Sequence, residues 1–283
     1  MFSNRLTSKT SLLKKLKLFD YFVIGFLLLF GLAFFIFFFR ENKYLTVKVK
    51  ITEKNVLYAF TTPPSWFVYL FKKGTVKKDG LGRVNAEISD VYYYDTSPST
   101  KAVYLTLRLR VTYNSRSQSY TYEGTPVAVG ESLRVSFGKI LADGLIVSVE
   151  GLDNPYEEVY VRVKARLIEN PPNFSETTGV ESYIGEAIKV GDEIFDSQGK
   201  MMAELLDKKI SSAQKSTFDD RGNVYQRFDP RKEDVFLTLK VRAKKTNNEL
   251  YFFDDVRIKV NEQIPLHFKT VSIYPVITEV LAD

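Results

Sequence analysis

The chain has no cysteine, and its 283 residues hold a single histidine and a single tryptophan. Without cysteine there are no disulfides, no thiolate nucleophile, no zinc–thiolate site and no iron–sulfur ligation. Cysteine-free chains suit a bacterial envelope protein stabilised by its core alone, and they also occur in the cytosol. The histidine, His267, has Ser136 as its counterpart in the internal repeat described below. A catalytic histidine needs a nucleophile or carboxylate partner, and no motif supplies one, so an exposed or edge-strand role is expected.

A basic groove is also missing. The formal charge is +6, but Arg5, Lys9, Lys14, Lys15 and Lys17 stand against Asp20 alone in residues 1–20, which leaves about +2 for the remainder. A near-neutral body argues against nucleic acid as a partner. Hydrophobic content of 45% and charged content of 26% are those of a globular protein with room for about two domains.

From Tyr21 to Phe39 runs YFVIGFLLLFGLAFFIFFF, 19 residues without a charge. Its length is close to the roughly 20 apolar residues that cross a ~30 Å hydrocarbon core, so a transmembrane helix over 21–39 is expected. Tyr21, Phe22, Phe30 and Phe39 mark the expected membrane anchor, with lipid as its partner. The basic residues before it outweigh Arg40, Glu41 and Lys43 after it, which predicts a single-pass protein of the cell membrane, N-terminus cytoplasmic and C-terminal part extracytoplasmic. A cleaved signal peptide is the competing reading, through Gly31-Leu32-Ala33, but the run exceeds a signal h-region and cleavage there would expose FFIFFF.

The rest of the chain repeats itself. Lys73 through Asp90 lies ungapped over Val190 through Asp207, with Gly74 and Gly82 over Gly191 and Gly199, and both an Ala-Glu pair and a final Asp coinciding. Val103–Arg110 matches Val235–Arg242, Val127–Phe137 matches Ile258–Phe268, and the strand Tyr44–Ile51 pairs with Tyr160–Leu167. The expected organisation is a basic tail (1–20), a transmembrane helix (21–39), β-domain repeat one (40–152) and β-domain repeat two (153–283), jointed at Asp153-Asn154-Pro155-Tyr156.

Each repeat reads as mainly β. Tyr44–Ile51, Val103–Val111 and Phe236–Val241 alternate apolar and polar residues, placing Arg and Lys on an outer face. The two glycine pairs punctuate structural hairpins, and only 64–73 and 180–190 look helical. About six short strands and one short helix per repeat favour a small barrel that hides its strand edges, with a β-sandwich as the alternative.

The hairpin Lys189-Val190-Gly191-Asp192-Glu193-Ile194-Phe195-Asp196…Gly199-Lys200-Met201-Met202-Ala203-Glu204-Leu205 resembles one in an uncharacterised bacterial family of single-pass membrane-anchored β-domains, with a GD-x-[VI]-x-D-x-x-G pattern. Val129-Gly130-Glu131-Ser132-Leu133 and Val260-Asn261-Glu262-Gln263-Ile264 are similar to its recurring VGE-x-I strand. Repeat one departs from the pattern, with Thr75 at the Asp192 position and Lys77-Lys78 at Ile194-Phe195. The hairpin is also similar to that of mammalian-cell-entry (MCE) domains, which implies ring-forming lipid transport, but the long helical extension of that family is missing.

No reactive constellation emerges. Asp219-Asp220-Arg221-Gly222-Asn223 and Asp254-Asp255 lack the alternating ligands of a calcium loop, and Gly80-Leu81-Gly82 lacks the context of a phosphate loop. Asp90, Asp207, Glu87 and Glu204 read as structural, and Asn173-Phe174-Ser175 is a formal glycosylation sequon. Catalytic, cofactor-binding and metal residues are therefore none, and no cofactor is expected. Among Tyr92, Tyr93, Tyr94, Tyr120, Tyr122, Tyr251, Phe252 and Phe253, half are expected in cores and the rest at contacts; Trp66 is expected in a core. Repeat two carries a polar insertion around Ser211–Lys232, a long loop or exposed hairpin, whose Phe218, Tyr225, Arg227 and Phe228 are the candidate partner contacts. The expected function is a non-enzymatic, membrane-anchored scaffold or adaptor of the cell envelope, bound to another envelope protein or to copies of itself. The alternative is an oligomeric MCE-like component of lipid or hydrophobic-molecule transport.

Overall fold

The computed structural model describes residues 18–38, 43–52, 62–168 and 178–281. It separates into two compact units, Met1–Lys43 and Tyr44–Asp283. In the first unit a helix, α1, covers Leu18–Phe38, and its described side chains, 21–34, are all exposed. No helix among the described residues is long and apolar enough to cross a membrane. This corrects the fold class expected from the sequence: the protein is mainly β with two half-barrel-like sheets, and the transmembrane helix over 21–39 is not supported. Tyr21, Phe22 and Phe30 are exposed on α1, whereas Phe39, the basic residues up to Lys17 and the sequon at 173–175 lie outside the described residues.

The second unit is built from strands. Its first part holds β1 (Lys43–Ile51), β2 (Val76–Lys78), β3 (Val84–Asp95), β4 (Lys101–Asn114), β5 (Ser119–Tyr122), β6 (Thr125–Pro126), β7 (Ser132–Phe137) and β8 (Ile140–Val149). The second part holds β9 (Glu157–Arg166), β10 (Val180–Glu181), β11 (Glu193–Phe195), β12 (Met201–Phe218), β13 (Val224–Thr246) and β14 (Glu249–Phe252). It closes with β15 (Val256–Arg257), β16 (Leu266–His267), β17 (Ser272–Ile273) and β18 (Val276–Leu281). A 3-10 turn at Phe67–Leu70 and a short helix, α2, at Ser182–Ala187 fall where the two helical segments were expected.

The first sheet runs β2-β3-β4-β1-β8-β7, and the second places β11, β12, β13, β9 and β18 side by side in the corresponding order. The pairs β4–β5 and β13–β14 branch off in the same way. Even the irregularities match: β3 carries a bulge between Ile88 and Asp90, and β12 carries one between Leu205 and Asp207. The bulge decides which way the chain faces. Before it, Ala86 and Ile88 point into the first core; after it, Val91 and Tyr93 do, so Tyr92 and Tyr94 turn outward.

Alternation fills two cores. Val47, Val49, Ile51, Leu105, Leu107 and Leu109 anchor the first, and Val163, Ala165, Leu205, Leu237, Leu239 and Val241 the second. Tyr94, Ala102 and Tyr104 of the first repeat pack into the core of the second. The outer face of one sheet is thus covered by the other repeat, and Arg242, next after the alternating run Phe236–Val241, is only 9% exposed. Trp66, by contrast, is 63% exposed, its edge against Phe67, which corrects the expectation of a core position. Of the eight aromatics singled out above, Tyr94, Tyr122, Phe252 and Phe253 are buried and the others half-buried.

Candidate functional site

Two regions stand out. The first is the arm made by the outer halves of β12 and β13. The insertion at 211–232 is an exposed hairpin, with Gln214↔Phe228, Ser216↔Gln226 and Phe218↔Val224 as cross-strand partners. Directly paired residues share a face, so Phe218, Val224 and Phe228 line one side, at 63%, 59% and 71% exposure. Tyr225, Lys215 and Arg227 line the other, where the Tyr225 hydroxyl donates to Asp219 Oδ2 at 3.0 Å. The four residues expected as one contact set therefore split by face: Phe218 with Phe228, and Tyr225 with Arg227. At the root, Gly179 sits at φ +92° with the Glu233 carbonyl oxygen 2.4 Å from where a Cβ would stand. Only glycine fits that approach.

The arm's tip is one of three copies of a single turn among the described residues. In Asp79-x-x-Gly82-Arg83, Asp196-x-x-Gly199-Lys200 and Asp219-x-x-Gly222-Asn223 the Asp Oδ1 accepts backbone N–H bonds from the second and fourth following residues, at 2.8–3.0 Å. The glycine takes φ between +74° and +79° in each. These acids close turns, Asp219 among them. Among the described residues no group of acidic or histidine side chains is placed to hold a metal ion.

The second region is a cavity of about 150 Å³ between the two repeats. Period-2 alternation brings its walls together: Asp90, Tyr92 and Tyr94 from β3, Lys48 from β1, Glu158 from β9, and Arg242 and Lys244 from β13. At its floor Arg242 Nη2 donates to Asp196 Oδ2 at 2.7 Å, with the two side chains 8% and 2% exposed. The Tyr92 hydroxyl lies 3.3 Å from the same carboxylate oxygen and 3.2 Å from Arg242 Nη2. Burial alone would raise the Asp196 carboxyl, but hydrogen bonds from Arg242 and from the Lys200 and Gln198 amides outweigh it and hold it below the ordinary range. Burial also pushes the Tyr92 and Tyr94 hydroxyls upward.

The rim is basic. Lys48 Nζ stands 5.1 Å from the Tyr92 ring centre and 5.2 Å from that of Tyr104, a cation–π arrangement. Lys244 reaches Asp254 at 2.6 Å and shares it with Lys50 at 3.0 Å. Burial first, then repulsion from Lys48, pushes the Lys244 ammonium down to about 8. Lys200 pairs with Glu158, and Gln198 donates to Asp90 at 3.2 Å. Between the repeats the Ser197 N–H meets the Tyr93 carbonyl, the Tyr93 N–H meets Ser197 Oγ, and His267 Nε2 lies 3.0 Å from the Thr96 carbonyl oxygen. His267 is accordingly half-buried on the short β16–β17 ribbon, and burial lowers its pKa.

Sequence reasoning did not single out this cavity, although a signal was present. Asp79 and Asp196 occupy matched positions of the duplication, as do Arg110 and Arg242, and both pairs form: Arg110 meets Asp79 at 3.0 Å. The fold and its cavity define a paired β-domain protein with a charged, tyrosine-walled inter-repeat interface. No family model, no curated protein and no solved structure matches the chain.

Proposed function

We propose that the protein is a non-catalytic adaptor of the cell envelope, in which the β12–β13 arm docks another envelope protein and α1 engages lipid. The observation that carries this reading is the three large exposed apolar side chains Phe218, Val224 and Phe228, which share one face of the arm with Gln214, Ser216 and Gln226. A two-stranded ribbon is marginal in water unless something covers one face, and large exposed aromatics on such a ribbon are typical of contact surfaces. For α1, the support is an uninterrupted run of exposed apolar side chains from Tyr21 to Phe34. An extracytoplasmic position for the β unit belongs to the same proposal.

The test is photo-crosslinking of the full chain in native membranes, with a photoreactive residue at 218, 224 or 228 and, for the opposite face, at 225 or 227. The adaptor reading expects one discrete adduct from the first set only. Equal labelling from both faces, or none, overturns it, and an adduct of the chain with itself identifies a second copy as the partner.

Lipid conduction through a ring is the rival reading. Both repeat interiors are filled by side chains, so a conduit would have to lie between chains. Native mass spectrometry showing a discrete ring-sized oligomer carrying lipid would replace the adaptor with the conduit.

A further inference from the structure

We propose that the cavity between the repeats binds one small oxyanion, a short-chain carboxylate or a phosphate, through Lys48, Arg242 and Lys244. The argument starts from charge pairing. Of the carboxylates on the walls, Glu158 is paired with Lys200 and Asp196 with Arg242, while Asp90 is held by the neutral Gln198 amide and keeps its charge. Asp254, just beyond the wall, is divided between Lys50 and Lys244. Lys48 meets no carboxylate among the described residues and rests on the Tyr92 and Tyr104 rings. Lys48, Lys50, Lys200, Arg242 and Lys244 stand against Asp90, Glu158, Asp196 and Asp254, a surplus of one positive charge, and Lys48 is the cation of this set that no carboxylate meets.

Arg242 is fixed at the floor by the bond from its Nη2 to Asp196, and its charge adds to the positive field on Lys244. The repulsion between Lys48 and Lys244 is relieved by the same oxyanion.

Size and walls narrow the ligand. A volume near 150 Å³ lined by these charges suits a small oxyanion. Tyr94, Tyr156 and Phe253 offer ring surface to a short carbon skeleton. This inference goes beyond the adaptor reading and does not depend on the arm having a partner.

The experiment is calorimetric titration of the full chain in a non-ionic detergent, at neutral pH and constant ionic strength, with acetate, succinate and inorganic phosphate in turn. We expect saturable one-to-one binding of at least one probe. Lys48→Met should weaken it roughly tenfold or more, the worth of one charge-assisted hydrogen bond, while Lys215→Met on the arm should not. Lys48 is the variant of choice because no carboxylate depends on it, whereas an Arg242 variant would strand Asp196 and endanger folding. Binding by carboxylates alone or by phosphate alone supports the site and fixes the ligand class. Absence of saturable heat with all three probes, or an affinity that Lys48→Met leaves unchanged, overturns it.

Discussion

Asp79 and Asp196 close the same kind of turn, and each meets an arginine at a matched position of β4 or β13. Their surroundings differ. The Asp79–Arg110 side chains are 22% and 19% exposed, while the Asp196–Arg242 side chains are 2% and 8% exposed beneath the other repeat. A solvated pair contributes little, whereas removing one partner of a buried pair costs about 3–5 kcal/mol because a charge is left stranded. Alanine at either position removes the turn-closing carboxylate, so that loss is common to both, although Asp79 also loses Arg83 and Asp196 the Tyr92 hydroxyl. We expect Asp196→Ala to lower unfolding free energy by several kcal/mol more than Asp79→Ala, as measured by denaturant titration of the two variants side by side. Equal losses would mean that covering the pair adds nothing.

At the scale of elements, the arm is an extension grown from a strand pair that the other repeat keeps short. β3 and β4 end near Asp95 and Lys101, while β12 and β13 run on to Phe218 and Val224. Because Gln214 and Phe228 are cross-strand partners, replacing 215–227 by Asn-Gly would close the hairpin with a two-residue turn. The buried anchors at its root, Ala213 and Asp229, stay in place. The shortened chain should keep its melting temperature within a few degrees, since surface changes away from the core move stability by only about 0.5 kcal/mol, yet lose the crosslinks at the arm. A collapse of thermal stability would make the arm part of the fold. The hairpins, α2, the 3-10 turn and the exposed insertion were all legible in the sequence, because glycine positions, alternation and the duplication are local signals. The faces of the arm were not: Phe218 and Tyr225 look adjacent in a polar stretch until the pairing register assigns them to opposite sides. The apolar run before the β unit misled in the other direction, since composition alone suggests a span that the described helix does not provide.

For the whole molecule, the question is whether a duplicated chain behaves as two bodies or one. Nothing in either repeat alone announces that Tyr94 and Tyr104 serve the other's core; that depends on the Ile88/Asp90 bulge and on contacts between residues about 150 positions apart. Tyr94 stacks on Phe253 with ring centres 4.7 Å apart and planes 11° from parallel. Tyr92, Asp196 and Arg242 form a buried polar knot across the same boundary, and Ser197 bonds reciprocally with the Tyr93 backbone. Opening the boundary would expose these rings and strand the buried pair, so each repeat is stabilised by the other and the two should unfold together. Hydrogen exchange of the full chain in sub-denaturing denaturant measures this directly. Amides of β4 and β13 should report the same opening free energy, and Phe253→Ala, a cavity-forming change worth about 3–5 kcal/mol, should lower both equally although Phe253 belongs to repeat two alone. Loss of protection in β13 while β4 stays protected would show two independent bodies, and would leave the charged cavity as a seam between them instead of the centre of one fold.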